Sequence, residues 1–200
     1  MTAVVIAGGK SRRMGQDKRF LKVGGISLLD RTVNVLEGMF PAVVLALAEP
    51  LAHWNARGHR LVYDAVPDRG SLGGLYTGLM ASHSSWIFAV ACDMPFLDPA
   101  VIHHMAGFMV GSDIVAAKLA SGFQPLHGFY SRQCIPILER MINAQRLRMQ
   151  DIFAEADVRV RIVPESEAMS IDPQLLSFRN VNTPEEFASA VAILNSTSRG

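Results

Sequence analysis

Cysteine is scarce in this 200-residue chain, with only Cys92 and Cys134 present. Two thiols cannot build a disulfide framework, and they are too few for a structural zinc site of their own. Charge is also sparse: 18% of residues carry it and the net value is +1. A protein that lives on duplex nucleic acid carries a basic excess, and this chain lacks one. Long hydrophobic runs are missing too. The apolar stretch Ala3–Ala7 is broken at once by Gly8-Gly9 and basic residues, too short for a signal peptide, and no span approaches the ~20 apolar residues of a membrane helix. These absences lead to the expectation of a cytoplasmic protein with reduced thiols. What is plentiful is apolar residues, 50% of the chain, which excludes an intrinsically disordered chain. One domain spanning residues 1–200 is expected, burying roughly 70% of its unfolded surface. The small polar tail 195–200 is expected to fray.

Apolar runs alternate with helical patterns along the chain. Strands are predicted at Ala3–Ala7, Val43–Leu47, Arg60–Asp64, Trp86–Ala91, Asp113–Ala117, Leu126–Tyr130 and Val158–Val163. The first, second and fourth are apolar on both faces, which suits the centre of a parallel sheet covered on each side. Leu29, Val33, Leu36 and Phe40 recur at helical spacing, as do Ile135, Leu138 and Ile142. Asp98-Pro99 reads as an N-cap with proline at the first helical position. Thr183-Pro184-Glu185-Glu186 reads as a capping box opening a last helix with Phe187, Val191 and Leu194 inward. Such alternation predicts a three-layer α/β/α sandwich with a Rossmann-like, mostly parallel sheet.

Ligands collect at the carboxyl ends of the strands in such a sheet. The first strand runs into Gly8-Gly9-Lys10-Ser11-Arg12-Arg13-Met14-Gly15-Gln16-Asp17-Lys18. Paired glycines admit an anion to main-chain N–H groups, and the lysines and arginines can neutralise phosphate oxygens. Gly9-Lys10-Ser11 is not the end of a Walker A loop, because the required glycine would fall at Val4. A dinucleotide fingerprint fails as well, since Lys10 stands where its second glycine belongs. Asp93, just beyond the fourth strand, suits Mg²⁺, which takes one or two protein oxygens and completes its shell with phosphate and water. A helix-capping role is the alternative for Asp93, yet Asp98 already fills it. Asn180 and Asn182 can act on a ligand or serve as turn residues before the Thr183 cap. No serine or cysteine has an evident base partner, so no covalent intermediate is implied. His103 and His104 are expected to face solvent, and His53, His59 and His83 lack metal-ligand spacing.

The pattern A-G-G-x-S-x-R-M-G-x-D-K resembles the signature loop of nucleotidyltransferases, and more narrowly that of the molybdenum cofactor guanylyltransferase family. The resemblance extends to Asp64, Arg69-Gly70-Ser71-Leu72-Gly73-Gly74, Ala91-Cys92-Asp93-Met94-Pro95, Gln124-Pro125-Leu126 and Asn180-Val181-Asn182-Thr183-Pro184. It implies a nucleotide-diphospho-sugar-transferase-like fold and transfer of GMP from GTP to the phosphate of molybdopterin, with pyrophosphate released. It further implies Ile6, Ala7, Gly8, Gly9, Lys18, Asp64 and Asp93 as nucleotide contacts, with Lys18, Arg13 and Asp93 catalytic. Mg²⁺ would sit on Asp93 with Asn182 as a possible second ligand, and Asn180 and Asn182 would meet the acceptor. The glycines from Gly70 to Gly78 would bring main-chain groups to the edge of the base. His127 falls in a strand that the family places near the acceptor, a secondary contact at best. The expected partners are GTP and molybdopterin, with transient contacts to other cofactor-biosynthesis proteins or target molybdoenzymes, and neither nucleic acid nor membrane. Two positions depart from the family: Ala46 where the second strand ends in asparagine, and Ser71 where the next loop carries proline. Cytidylyl transfer to the same cofactor, sugar-phosphate nucleotidyl transfer and a non-catalytic cofactor carrier are the competing functions.

Overall fold

The strand β1 (Thr2–Ile6) is buried at all five positions, because both faces of its sheet are covered. The computed structural model describes residues 1–8, 17–50 and 56–197; the side chains of Lys18 and Thr197 lie outside that description. After β1 come a small hairpin of β2 (Lys22–Val23) and β3 (Ile26–Ser27), the helix α1 (Leu28–Glu37), β4 (Ala42–Leu47) and β5 (Arg60–Tyr63). Next are α2 (Gly70–Ala81), β6 (Trp86–Ala91), α3 (Pro99–Ala106), β7 (Ile114–Leu119) and β8 (Gly122–Ser131). The chain closes with α4 (Cys134–Asn143), β9 (Val160–Pro164), α5 (Glu165–Met169) and α6 (Pro184–Thr197).

Seven strands form one sheet in the order β5-β4-β1-β6-β8-β7-β9. β1 pairs in parallel with β4 and β6, β4 with β5, and β7 with β9. β8 alone runs against its neighbours β6 and β7. Alternate residues of β1 feed two apolar cores, as the two-residue period of a strand requires. Ala3 and Val5 join Leu29, Val33 and Leu36 of α1 and Val101, Ile102 and Met105 of α3 on one face. Val4 and Ile6 join Leu72, Leu75 and Leu79 of α2 and Leu138 and Met141 of α4 on the other. The result is the expected three-layer sandwich.

All seven predicted strands are present, most with ends shifted by one or two residues. β8 begins four residues earlier than predicted, and Asp113 lies just outside β7, where its carboxylate accepts from Arg159 at 2.9 Å. Asp98 caps α3, its Oδ1 accepting from the N–H of Ala100 at 2.7 Å. The capping box of α6 is formed in both directions: Glu186 donates to Thr183 Oγ1 at 3.2 Å, and Thr183 donates to Glu186 Oε2 at 3.1 Å. α6 extends to Thr197, so helix covers half of the tail expected to fray.

The segment Gly70–Gly78 differs from expectation. It belongs to the helix α2 rather than to a loop. Two of its glycines are there for packing: a Cβ at Gly74 would lie 2.8 Å from Ile6 Cγ2, and one at Gly78 would collide with Val4 Cγ1. α2 therefore rests against β1 at a distance that only glycine permits.

Candidate active site

The parallel strands β1, β4, β5 and β6 end on one edge of the sheet, and Ile6, Ala7, Gly8, Asp64 and Asp93 of the predicted residues lie there. A cavity of ≈ 240 Å³ opens between the turn after β1 and the turn after β6. Ile6, Ala7 and Gly8 line it from the first turn, and Ala91, Cys92 and Asp93 from the second. Asn180 and Asn182 close it from the segment before α6, and Ser71 at the start of α2 and Leu126 of β8 also line it. Six predicted site residues thus share one small hollow. A larger hollow of ≈ 580 Å³ lies at the opposite, amino-terminal edge between Thr2, Glu37 and His59, and none of the predicted site residues lines it.

Main-chain hydrogen bonds fix the geometry of this edge. The Ala7 N–H donates to the Ala46 carbonyl at 2.9 Å, and the Cys92 N–H donates to the Ile6 carbonyl at 3.3 Å. The Val181 N–H donates to the Asp93 carbonyl at 2.9 Å, so the segment carrying both asparagines is tied to the end of β6. Asp93 is 6% exposed. A carboxylate this little exposed, on the wall of a cavity that Asn180 and Asn182 also line, is an oxygen donor set that fits a hard divalent cation such as Mg²⁺.

Asp64 follows β5 and is placed by its own N–H, which donates to the Leu47 carbonyl at 2.9 Å. It stands beside the cavity rather than lining it: a Cβ at Gly8 would come 3.7 Å from Asp64 Oδ2. Its Oδ1 is buried without a hydrogen-bond partner, and that burial raises its pKa above the usual carboxylate value. An acceptor held in this way gains a partner only when a donor enters. Gly9 and Arg13 lie outside the described residues, and Lys18 is described only by its main chain, in a 3₁₀ turn over Lys18–Phe20.

Three sequence expectations change. Ala46 is not at the sheet edge but wholly buried in the core beneath α2. The residue that reaches the edge beside Gly8 is Ala48, whose Cβ would lie 3.4 Å from a Cβ at Gly8. The Gly73 N–H donates to the Arg69 carbonyl at 3.2 Å inside α2, so any main-chain reading of a base falls to the first residues of that helix. His127 is a core residue rather than an acceptor contact. It is fully buried, edge-on to Phe88 at 5.2 Å and tilted on Phe178 at 4.6 Å, and burial lowers its pKa to about 4. His103 is exposed as expected, and His104 is half-buried, 2.8 Å from Glu167 Oε1. No group of three or more metal-ligating His, Cys, Asp or Glu side chains occurs among the described residues.

One cavity residue was missed from sequence. Arg19, 8% exposed, lines the cavity and grips Asp17: Nε donates to the two carboxylate oxygens at 2.8 and 2.9 Å, and Nη2 to Oδ2 at 2.6 Å. Burial alone would lower its pKa, but the hydrogen bonds and charge of Asp17 outweigh it and the guanidinium is held more firmly charged. The sequence signal was an arginine two residues after an aspartate, a spacing at which one turn lets a guanidinium fold back on the carboxylate.

A carboxylate and two asparagines share a cavity with Gly8 at the carboxyl edge of a mostly parallel sheet, the edge where such folds collect ligands, and comparison with known proteins identifies the family. Residues 3–160 match the MobA-like NTP transferase domain, and the chain belongs to that family. The chain is 34% identical over 198 residues to a molybdenum cofactor guanylyltransferase of Desulfosudis oleivorans, covering 97% of this chain and 96% of that protein. It is 30% identical to the molybdenum cofactor guanylyltransferase of Syntrophotalea carbinolica, over 93% of this chain and 88% of the other. Among solved structures, molybdopterin-guanine dinucleotide biosynthesis protein A from Archaeoglobus fulgidus shares the fold. Its TM-score is 0.83 at 24% identity, over 98% of this chain and all of that one. The protein is a nucleotidyltransferase. Asn180 and Asn182 lie beyond the family match yet contribute to the cavity.

Proposed function

We propose that this protein transfers GMP from GTP to the phosphate of molybdopterin in the cytoplasm, forming the guanine dinucleotide cofactor and releasing pyrophosphate. The observation that carries this reading is the single cavity shared by Gly8, Asp93, Asn180 and Asn182, in a chain whose relatives bear the guanylyltransferase name. Ile6, Ala7 and Gly8 admit the nucleotide to the main chain, and Gly9 is assigned as a further nucleotide contact. Arg13 and Lys18 supply cations for the triphosphate, and Lys18 answers the charge that grows on the departing pyrophosphate. Asp64 accepts from the donor edge of the base with its buried oxygen. Asn180 and Asn182 receive the acceptor, held against Asp93 through Val181.

Asp93, with Asn182 as a second oxygen donor, would hold Mg²⁺. When bound, the ion neutralises phosphate charge and helps orient the α-phosphorus. The acceptor phosphate attacks that phosphorus in line, and the bond to the pyrophosphate oxygen breaks. The test is pyrophosphate release by the purified protein with molybdopterin and each of the four NTPs. Release with GTP, dependent on molybdopterin, is expected. Release only with CTP, or only with a sugar phosphate as acceptor, supports a different transferase. Nucleotide binding without release under every condition supports a carrier.

A further inference from the structure

Arg19 joins three pieces of chain. Besides its grip on the Asp17 carboxylate, Nη1 donates to the Ala7 carbonyl at 2.8 Å. Ala7 belongs to the frame of the sheet, since its N–H is bonded to Ala46. Asp17 in turn accepts from the Arg19 main-chain N–H at 3.1 Å, and its carbonyl accepts from the Phe20 N–H at 3.1 Å. Lys18 therefore sits between two residues locked to each other and, through Ala7, to the end of β1. An exposed ion pair contributes little. Here the Arg19 side chain is 9% exposed and that of Asp17 33%, the pair has fork geometry, and the guanidinium is bonded to a main-chain carbonyl of the cavity wall. Lysine could not replace it, because an ammonium is a point charge that cannot bridge a carboxylate and a carbonyl with a planar fork.

We propose that Arg19 is a positioning residue: it ties the Asp17–Lys18 turn to the end of β1 and so fixes in advance where the Lys18 cation originates beside the cavity. This inference rests on the nucleotidyl-transfer reading only in taking a phosphate group as the partner of Lys18. A cation whose main chain is already fixed loses less freedom when the anion arrives. Arg19 thus acts on phosphate through Lys18.

The experiment is a double-mutant cycle read by calorimetric binding of pyrophosphate, in the presence of Mg²⁺, to the full-length chain. Pyrophosphate leaves in every nucleotidyl transfer, so the result does not depend on which base or acceptor is used. Arg19→Gln is expected to weaken pyrophosphate binding about tenfold in the otherwise unaltered protein and less than twofold in a Lys18→Ala background. Asp17→Asn should reproduce the Arg19→Gln loss, and Arg19→Lys should recover only a minor part of it. Equal losses in both backgrounds, wild-type affinity in Arg19→Lys, or no pyrophosphate binding by the wild type would overturn the proposal. Should Arg19→Gln fail to fold, Arg19→Lys and Asp17→Asn carry the same comparison with and without Lys18→Ala. Intact coupling in a protein that does not use GTP would overturn the guanylyl reading and leave this one standing.

Discussion

The main-chain N–H of Val181 donates to the carbonyl of Asp93 at 2.9 Å, joining the end of β6 to a segment 88 residues further along the chain. The bond uses the main-chain carbonyl of Asp93 and does not depend on its side chain. The side chain can therefore be changed without cutting the tie.

Asp93→Ala should keep the fold and lose at least about a hundredfold in turnover, the scale of removing one transition-state stabilising group. Circular dichroism and a pyrophosphate-release assay check the two halves separately. A folded variant with turnover within a few-fold of wild type would remove Asp93 from the reaction.

Ala46 and Ala48 should respond oppositely to asparagine. Ala46 is fully buried between β1 and α2, where an amide would lack partners, so Ala46→Asn should cost about 1–3 kcal/mol of stability. Ala48 is exposed beside Gly8, so Ala48→Asn should leave stability within about 0.5 kcal/mol while lowering the Michaelis constant for GTP. Urea unfolding and steady-state kinetics distinguish the two. Stabilities that are indistinguishable would contradict the burial argument.

Gly78→Ala tests the close approach of α2 to β1. Alanine gains about 1 kcal/mol in helix propensity, but its Cβ would collide with Val4 Cγ1 in the middle of the sheet. Overpacking of this kind costs about 1–3 kcal/mol, so a net loss of stability is expected. A stabilised variant, read from the denaturation midpoint, would show that the helix can move outward at no cost.

His127 makes stability depend on pH. Its pKa falls from 6.5 to about 4 in the folded state because burial penalises the charged ring. Between these values the unfolded chain binds the proton and the folded one does not. Stability is therefore complete above pH 6.5 and declines as pH falls towards 4, by roughly 3 kcal/mol in all. His127→Phe should remove that part of the decline, measured by urea unfolding at pH 7 and pH 4.5. An unchanged pH dependence would show that other groups control it.

How far the sequence carried depended on how local each signal was. β1, β4 and β6 were legible because a run of apolar residues on both faces is explicable only by coverage on both sides. The caps at Asp98 and Thr183 were legible because each is complete within four residues. The β2–β3 hairpin went unseen, although Gly24 and Gly25, with φ of 60° and 81°, are the glycine pair that such a turn needs. Its strands of two residues are too short to show alternation. α2 was not legible as a helix, because glycine is a poor helix former. The reason for Gly74 and Gly78 lies in Ile6 and Val4, about 70 residues away, which no local pattern reveals. At the site, Asp93 and Gly8 were visible as strand-end residues, whereas Arg19 was not. Its importance comes from reaching the Ala7 carbonyl, a contact across 12 residues of chain.

The choice of base bears most directly on the function proposed. Guanine presents adjacent donors at N1 and N2, both of which the Asp64 carboxylate can accept, while cytosine sets its N4 donor beside an acceptor at N3, so one carboxylate oxygen would face a lone pair and stay unpaired. An unpaired buried group costs about 1–3 kcal/mol, so GTP should exceed CTP at least about tenfold in specificity constant, the ratio that roughly 1.4 kcal/mol implies. The measurement is direct competition between GTP and CTP for transfer to molybdopterin by the wild-type protein. A tenfold or larger preference for GTP is the predicted result; equal use of the two nucleotides, or a preference for CTP, would contradict guanylyl transfer.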